Sequence, residues 1–496
     1  MKTTKTILTI FISLLCLSAF TQVGNTKRTY HWYFGDKAGL DFSSGEPVED
    51  TLGQMSIYSG CATISDTAGN LLMYTDGVLK VWNKSHQVME NGNNFNVESY
   101  PGSPWQSSVI VPQPGSDDIY YIFYVQSEMG KDFSGGGLYY AIVDMSYNGG
   151  LGKVTVKGVK LLTTYSEAIG AVHHRNGEDV WIMGHEIETN NFWAFLLTKF
   201  GITDTVVNAI GNFAETPVGA YGLRFSPNGK KMASSAYWVI DSDTTLTKLD
   251  TLHLFDFNNQ TGVLSNPILL PDTLIFAYVF SPDNSKLYVN SYNYQNGMNY
   301  IEPWFHLYQY DISNNIQYDI IQSKNIVLSG DLSNDWEFSD MQIGADNKIY
   351  ASRTFLDSLG VVSNPNEYGL ACNVITGGIH LSNVCYTSLP NFISSYFNSD
   401  TTAFTIINTE ELLKRLHYYA YPNPFVIETI INTENKQIEQ YNLFDTKGCV
   451  ISKELYKLNK SDSAYIFTNK NMKGGLYFFN GIFTNKEVFS IQLIIN

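Results

Sequence analysis

One kind of short turn recurs six times along this chain, each time between two apolar strands. It joins Ala62-Thr63-Ile64-Ser65 to Leu71-Leu72-Met73-Tyr74, Ser108-Val109-Ile110-Val111 to Ile119-Tyr120-Tyr121-Ile122, and Ala171-Val172-His173 to Val180-Trp181-Ile182-Met183. The clearest pair is Phe225-Ser226-Pro227-Asn228-Gly229-Lys230-Lys231-Met232 and Phe280-Ser281-Pro282-Asp283-Asn284-Ser285-Lys286-Leu287, and the sixth is Ile343-Gly344-Ala345-Asp346-Asn347-Lys348-Ile349. With Gly69, Gly115, Gly177, Gly229, Asn284 and Asn347 as markers, the spacings are 46, 62, 52, 55 and 63 residues. Long helical periodicity is nearly absent. Short strands repeating at this period indicate an all-β protein built as a β-propeller, because one four-stranded sheet cannot bury both faces alone. The span from Tyr30 to Asn398 holds 369 residues, which divides better into seven blades than into six. The seventh has no marker of its own and is expected to combine Cys372–Phe397 with the N-terminal strand His31-Trp32-Tyr33-Phe34, closing the ring by pairing the chain ends.

Composition agrees. Of 496 residues, 44% are hydrophobic, 14% aromatic and only 16% charged, which excludes disorder and coiled coil. The net charge of −16 makes nucleic acid a poor partner, since phosphate binding needs a basic surface. The charge is uneven. Residues 22–417 carry 21 basic and 40 acidic side chains, whereas 418–496 carry 8 and 7, which suggests a boundary near residue 417.

Lys2 and Lys5 precede an apolar run from Ile7 to Phe20, the pattern of a secretory signal peptide over residues 1–21 and too short for a membrane helix. The expected organisation is therefore a leader (1–21), a propeller (22–400), a linker (401–417) and a C-terminal domain (418–496), with no membrane span. An exported chain meets an oxidising compartment. Cys372 and Cys385 flank Gly377-Gly378 almost symmetrically, so they are a candidate disulfide across a hairpin, with two free buried thiols as the alternative. Cys61 and Cys449 lie in different domains and are expected to be unpaired.

The tail opens with Tyr421-Pro422-Asn423-Pro424-Phe425 and continues through Tyr441-Asn442-Leu443-Phe444-Asp445-Thr446-Lys447-Gly448 and Gly474-Gly475-Leu476-Tyr477-Phe478. From the residues alone it is a small immunoglobulin-like β-sandwich behind a proline-stiffened start. These blocks resemble the type A C-terminal sorting domain of the type IX secretion system. The motif positions carried over are Tyr421, Pro422, Asn423, Pro424, Gly448, Gly475 and Tyr477. The chain departs from that pattern in ending apolar, at Leu493-Ile494-Ile495-Asn496. The main body resembles secreted bacterial WD-repeat-like propellers in its Ser-Pro-(Asp/Asn)-x-x-Lys turns and in 31–42, 61–66, 74–77 and 389–393. Together these resemblances imply export, recognition of the tail by the type IX translocon and sortase, and a final place at the cell surface or outside the cell. They transfer no enzymatic activity.

No local motif for chemistry stands out. His185-Glu186-Ile187-Glu188-Thr189-Asn190 lacks the second histidine of a zinc helix, and there is no G-x-S-x-G elbow or phosphate loop. His174 and His185 flank one hairpin and are read as cleft or structural histidines, so no metal, catalytic residue or cofactor is assigned. Asp66, Asp283 and Asp346 fit Asx turns better than calcium loops. Trp105, Trp193, Tyr237, Trp238, Trp304 and Trp336 are expected near loops or strand ends, where aromatic rings stack on sugars or peptides. The favoured reading is a non-catalytic binding propeller for an extracellular protein or glycan. The alternatives are a propeller enzyme acting on glycan or peptide, and a structural component of the envelope or motility machinery.

Overall fold

The computed structural model describes residues 25–77, 79–94, 106–126, 136–163, 167–186, 189–211, 222–240, 247–271, 275–293, 304–331 and 337–398. In the tail it describes 419–421, 425–433, 436–445, 450–461, 464–484 and 488–495. The leader and the expected linker lie outside these. The described chain divides into two compact units, one ending with Asn398 and one starting at Tyr419. Among the described residues no helix is long and apolar enough to cross a membrane.

The first unit is a β-propeller. Six antiparallel four-stranded blades follow one another, the first two joined at their outer strands by a parallel pairing of Lys153 with Glu90 and extended by Pro390-Asn391 into one nine-stranded sheet. Blade 1 comprises Cys61–Ser65, Leu71–Thr75, Lys80–Asn83 and Val88–Asn93, and blade 2 comprises Ser108–Pro112, Ile119–Gln126, Gly137–Asp144 and Lys153–Leu162. Blade 3 is Ile169–His173, Val180–His185, Asn191–Thr198 and Gly201–Ala209, and blade 4 is Gly222–Phe225, Lys231–Ile240, Thr247–Asn258 and Val263–Leu270. Blade 5 is Ile275–Phe280, Lys286–Asn293, Trp304–Asp311 and Asn325–Asp331, and blade 6 is Glu337–Ile343, Ile349–Arg353, Leu356–Val362 and Val374–Cys385.

The repeat is legible because its turn has a backbone requirement. All six marker residues have positive φ, from 63° at Asn347 to 102° at Gly69. Five of them donate their N–H to the carbonyl three residues back, as Gly229 does to Ser226 and Asn284 to Ser281. Such a position favours glycine or asparagine. The acids in these turns cap them as expected, Asp66 Oδ1 accepting from the N–H groups of Ala68 and Asn70. In blades 4 and 5 the lysine after the turn faces an aspartate on the next strand. Lys231 Nζ lies 3.0 Å from Asp256 and Lys286 Nζ 3.2 Å from Asp311. Innermost strands such as Ser108–Pro112 are buried throughout, whereas outer ones such as Val263–Leu270 alternate.

The seventh sheet is shorter than expected and built differently. His31–Phe34 pairs antiparallel with Ala38–Asp41, and Ala38–Asp41 with Val48–Glu49, so residues 31–49 alone supply it. It stands between the first and last blades, with Trp32 against Tyr350 of blade 6 (centroids 5.7 Å) and Tyr33 against Tyr74 of blade 1 (4.6 Å). The expected pairing of His31–Phe34 with a strand from Cys372–Phe397 is thus corrected. Val374–Cys385 is already the outer strand of blade 6, so it is not available to a seventh blade. The chain ends meet instead through Asp36 N–H on the Val384 carbonyl, and through Pro390-Asn391 pairing in parallel with Cys61-Ala62.

The candidate disulfide is corrected by the same strand. Cys372 precedes it and Cys385 ends it. Because Val374 stands opposite Val362 and Cys385 opposite Leu356, the two cysteines lie at opposite ends of the strand, on the order of 20 Å apart at about 3.3 Å per residue. Gly377, at φ 67°, sits within the strand and makes no hairpin turn. Both cysteines are buried free thiols, and burial pushes Cys385 up to about 12.

Trp32 shows what holds the closure. It is fully buried against Phe42, Tyr350 and Phe392, and its Nε1 donates to the Thr29 carbonyl at 2.9 Å. Trp32→Ala is expected to cost about 3–5 kcal/mol in urea unfolding. A loss below about 1 kcal/mol would mean that the closure does not depend on this ring.

The second unit is a β-sandwich. Tyr419–Tyr421, Glu428–Asn432, Tyr456–Lys460 and Ala464–Asn469 form one sheet, and Ile438–Asp445, Gly475–Phe483 and Val488–Ile495 the other. Phe425, Ile431, Leu443, Phe467, Phe479 and Leu493 fill the space between them. Of the sorting-motif positions, Tyr421 ends the first strand and Gly475 begins the sixth. Tyr477 donates its hydroxyl to the Lys473 carbonyl. Pro422, Asn423, Pro424 and Gly448, with Cys449, lie outside the described residues.

Candidate functional site

The central channel is where seven innermost strands converge, and it is the first place to look for chemistry. Here it is filled by the chain itself. After blade 6 the segment 387–398 crosses the channel and contacts five blades. Pro390 and Asn391 pair with Cys61 and Ala62 of blade 1, and Ile393 bridges Ala171 of blade 3. Asn391 Nδ2 donates to the carbonyls of Ser108 (3.2 Å) and Ile169 (3.1 Å), in blades 2 and 3. Its Oδ1 accepts from Arg224 Nη1 of blade 4 at 3.1 Å.

The charge in this network is compensated. Arg224 Nη2 lies 2.7 Å from Asp340 Oδ1 of blade 6, with both side chains nearly buried. Asp340 also accepts from the N–H groups of Leu389 and Met341. Gln342 Nε2 donates to the Pro390 carbonyl, and Ser352 Oγ to that of Thr387. Both oxygens of this carboxylate are thus already taken up, Oδ1 by Arg224 and the Met341 N–H and Oδ2 by the Leu389 N–H.

Two contacts have the form of a nucleophile beside a base. His306 Nδ1 lies 2.7 Å from Ser329 Oγ, its cross-strand partner on the exposed outer pair of blade 5, and the other contact is buried. His173 Nδ1 lies 2.7 Å from Ser395 Oγ, and the same hydroxyl accepts the His173 N–H at 2.9 Å. Among the described residues no carboxylate is bonded to this imidazole, and both side chains are buried. Burial first, then the Arg28 charge, pushes His173 down to about 3. The ring is neutral and enclosed, and it serves to seat the crossing segment.

The two histidines expected to line one cleft are not together. His174 lies in the turn after Ile169–His173, where its Nε2 contacts the Gln260 carbonyl and its Nδ1 accepts the Asn176 N–H. His185 ends the next strand, at the opposite end of the hairpin, buried and stacked on Phe192 at 4.3 Å. Burial pushes it down to about 4, with Glu186 opposing. Of the expected aromatics, Trp193 is half-buried with Nε1 on Glu186. Tyr237, Trp238 and Trp304 lie on strands of blades 4 and 5, and Trp105 and Trp336 lie outside the described residues.

A polar cleft of about 320 Å³ opens between the turns of blades 4 and 5. The Asn228 N–H donates across it to Asn284 Oδ1 at 2.8 Å. Lys231 Nζ is shared by Asp256 and Asn315, and Asp283 is capped by Ser281 and Ser285. The lining suits a ligand with hydroxyl or amide groups. Asp256 already holds the half-buried Lys231, and Asp283 is taken up by its two serines.

Reading residue by residue missed Arg224, Asp340 and Ser395. Arg224 carried a signal, a charge between Leu223 and Phe225 on a strand that is otherwise apolar. Pro390 carried another, since proline ends a ladder and Pro390-Asn391 forms only a two-residue bridge.

No family model and no curated protein matches the chain. Three solved structures illustrate what it is similar to. Hydrazine synthase of Kuenenia stuttgartiensis matches at 9% identity, over 72% of this chain and 84% of that one, with a TM-score of 0.37. The Cps50 (Swd1) β-propeller domain of Myceliophteria thermophila matches at 10% identity, over 65% and 92%, with a TM-score of 0.34. The periplasmic gluconolactonase PpgL of Pseudomonas aeruginosa matches at 9% identity, over 86% and 95%, with a TM-score of 0.35. At these scores the β-propeller assignment rests on the blades themselves, seven in succession around a channel filled by residues 387–398.

Proposed function

We propose that this protein is an exported, non-catalytic binding propeller whose C-terminal sandwich is its secretion address. The observation that carries the first half is the filled channel. A ligand pocket is ordinarily a concave space with a few converging polar groups, and here the converging groups bind residues 387–398. Binding then falls to the outer surfaces, with an extracellular protein or glycan as partner. Among the described residues two imidazole–hydroxyl contacts favour an enzyme: His173–Ser395 is sealed from substrate, and the exposed His306–Ser329 contact, like the first, has no carboxylate bonded to its imidazole.

The second half rests on the self-contained sandwich and on the motif residues carried over from the type IX sorting domain, with the translocon and sortase as the partners of the tail. A chain lacking residues 418–496 is expected to keep the cooperative unfolding of its propeller and to stay in the periplasm. Fractionation and surface proteolysis of the producing cells test this. Normal surface display of the shortened chain would end the sorting reading.

A further inference from the structure

Three aromatic rings from distant parts of the chain meet on the propeller surface. Tyr58 precedes blade 1, Phe355 lies in the turn between the second and third strands of blade 6, and Tyr386 follows its last strand. Ring centroids are 5.7 Å apart for Tyr58–Phe355, 5.5 Å for Tyr58–Tyr386 and 6.0 Å for Phe355–Tyr386. Phe355 is 57% exposed and Tyr58 46%. The backbone locks the triangle. The Phe355 N–H donates to the Cys385 carbonyl at 3.0 Å, and the Tyr58 carbonyl accepts from both the N–H and the hydroxyl of Thr387.

Phe355 has a φ of 66°. This left-handed region is costly for a bulky side chain, and turns that need it ordinarily use glycine or asparagine. A strained backbone that displays an apolar ring to water is unfavourable twice over, and strain of this kind gathers at binding sites. Fold stability does not explain a phenylalanine here.

We propose that Tyr58, Phe355 and Tyr386 form a stacking platform for the sugar rings of a neutral glycan. The proposal rests on the reading of the protein as a binding module and names the ligand class. Three partly exposed rings offer on the order of 250 Å², well below the roughly 800 Å² per partner of a stable protein interface. A small rigid ligand fits better than a protein. A pyranose has an apolar C–H face with hydroxyls at its rim. The platform matches it with ring faces and two tyrosine hydroxyls that have no partner among the described residues. The platform itself holds no charge, and the chain's net charge of −16 disfavours a polyanionic polysaccharide.

The test titrates the full chain with cellohexaose, xylohexaose, mannohexaose and chitohexaose by isothermal calorimetry, with polygalacturonate as the anionic control. At least one neutral hexaose is expected to bind. Phe355→Gly and Phe355→Asn are each expected to weaken it at least tenfold while Tm stays level or rises, because both substitutions relax the turn. Tyr58→Ala is expected to weaken it similarly. A Tm that falls by several degrees in Phe355→Gly would make the ring a packing element and overturn the proposal. So would the absence of binding to every neutral hexaose, or a preference for polygalacturonate. Glycan binding that is unchanged in the Phe355 variants would overturn this site while leaving the binding-module reading intact.

Discussion

A chain ending at Tyr386 is expected not to fold, whereas one ending at Phe404 is expected to unfold as a single cooperative unit. The difference is the segment that crosses the channel. Without it, the Ser108 and Ile169 carbonyls lose Asn391, and Arg224 and Asp340 face each other across an empty core. Each buried polar group left without a partner costs about 1–3 kcal/mol, and Phe392, Ile393, Tyr396 and Phe397 would no longer fill the centre. Domains are held by only about 5–15 kcal/mol, so the sum exceeds what is available. Single substitutions test the same network. Arg224→Ala strands a nearly buried carboxylate and is expected to cost about 3–5 kcal/mol. Arg224→Met combined with Asp340→Asn is expected to recover part of that loss, because no charge is then left alone. Urea unfolding followed by tyrosine and tryptophan fluorescence measures all of these. A native-like transition in the chain ending at Tyr386 would show that the ring closes without its filling.

Stability is expected to fall steeply between about pH 6.5 and pH 4, before most carboxylates titrate. His173 and His185 are buried and are pushed down to about 3 and about 4, in both cases chiefly by loss of hydration. In the unfolded chain each returns to about 6.5. The folded values are depressed, so below pH 6.5 the unfolded state takes up protons that the folded state refuses. The stability that depends on their neutrality is complete above pH 6.5 and is lost as pH falls. Two such groups give a slope of about 2.7 kcal/mol per pH unit, or on the order of 5 kcal/mol by pH 4.5. His86, His253 and His306 are lowered too, again mainly by burial, and act in the same direction. Asp66 and Asp311 are held below the usual carboxylate range by hydrogen bonds that outweigh their burial, so their loss comes later. Calorimetric Tm measured from pH 7.5 to 4.5 reads the slope. His173→Gln is expected to lower Tm at pH 7.5 and to flatten the profile by about one proton. A Tm unchanged between pH 7 and pH 5 would mean that these rings are hydrated in the folded protein.

The blade repeat was legible because its cause is local. A hairpin that needs a left-handed residue selects glycine or asparagine within a few positions, whatever lies across the ring, so Gly69 through Asn347 mark six blades in the sequence alone. The Asx caps and the Lys231–Asp256 and Lys286–Asp311 pairs follow from the same short-range pattern and its strand register. The two-sheet tail was legible for the same reason, each strand alternating against a core of its own. What joins residues far apart in the chain left no comparable trace. Gly377-Gly378 reads as a turn wherever two glycines follow each other, yet blade 6 draws the backbone on past it into one twelve-residue strand, and Cys372 is carried away from Cys385. Whether His31–Phe34 pairs with Ala38–Asp41 or with the last strand depends on which partner is still unpaired once blade 6 is complete. Asn391 joins carbonyls more than 200 positions away, and Phe355 meets Tyr58 only because the ring closes. Pairing and filling at that range are decided by competition among all the strands at once, and such competition is resolved only in the folded ring.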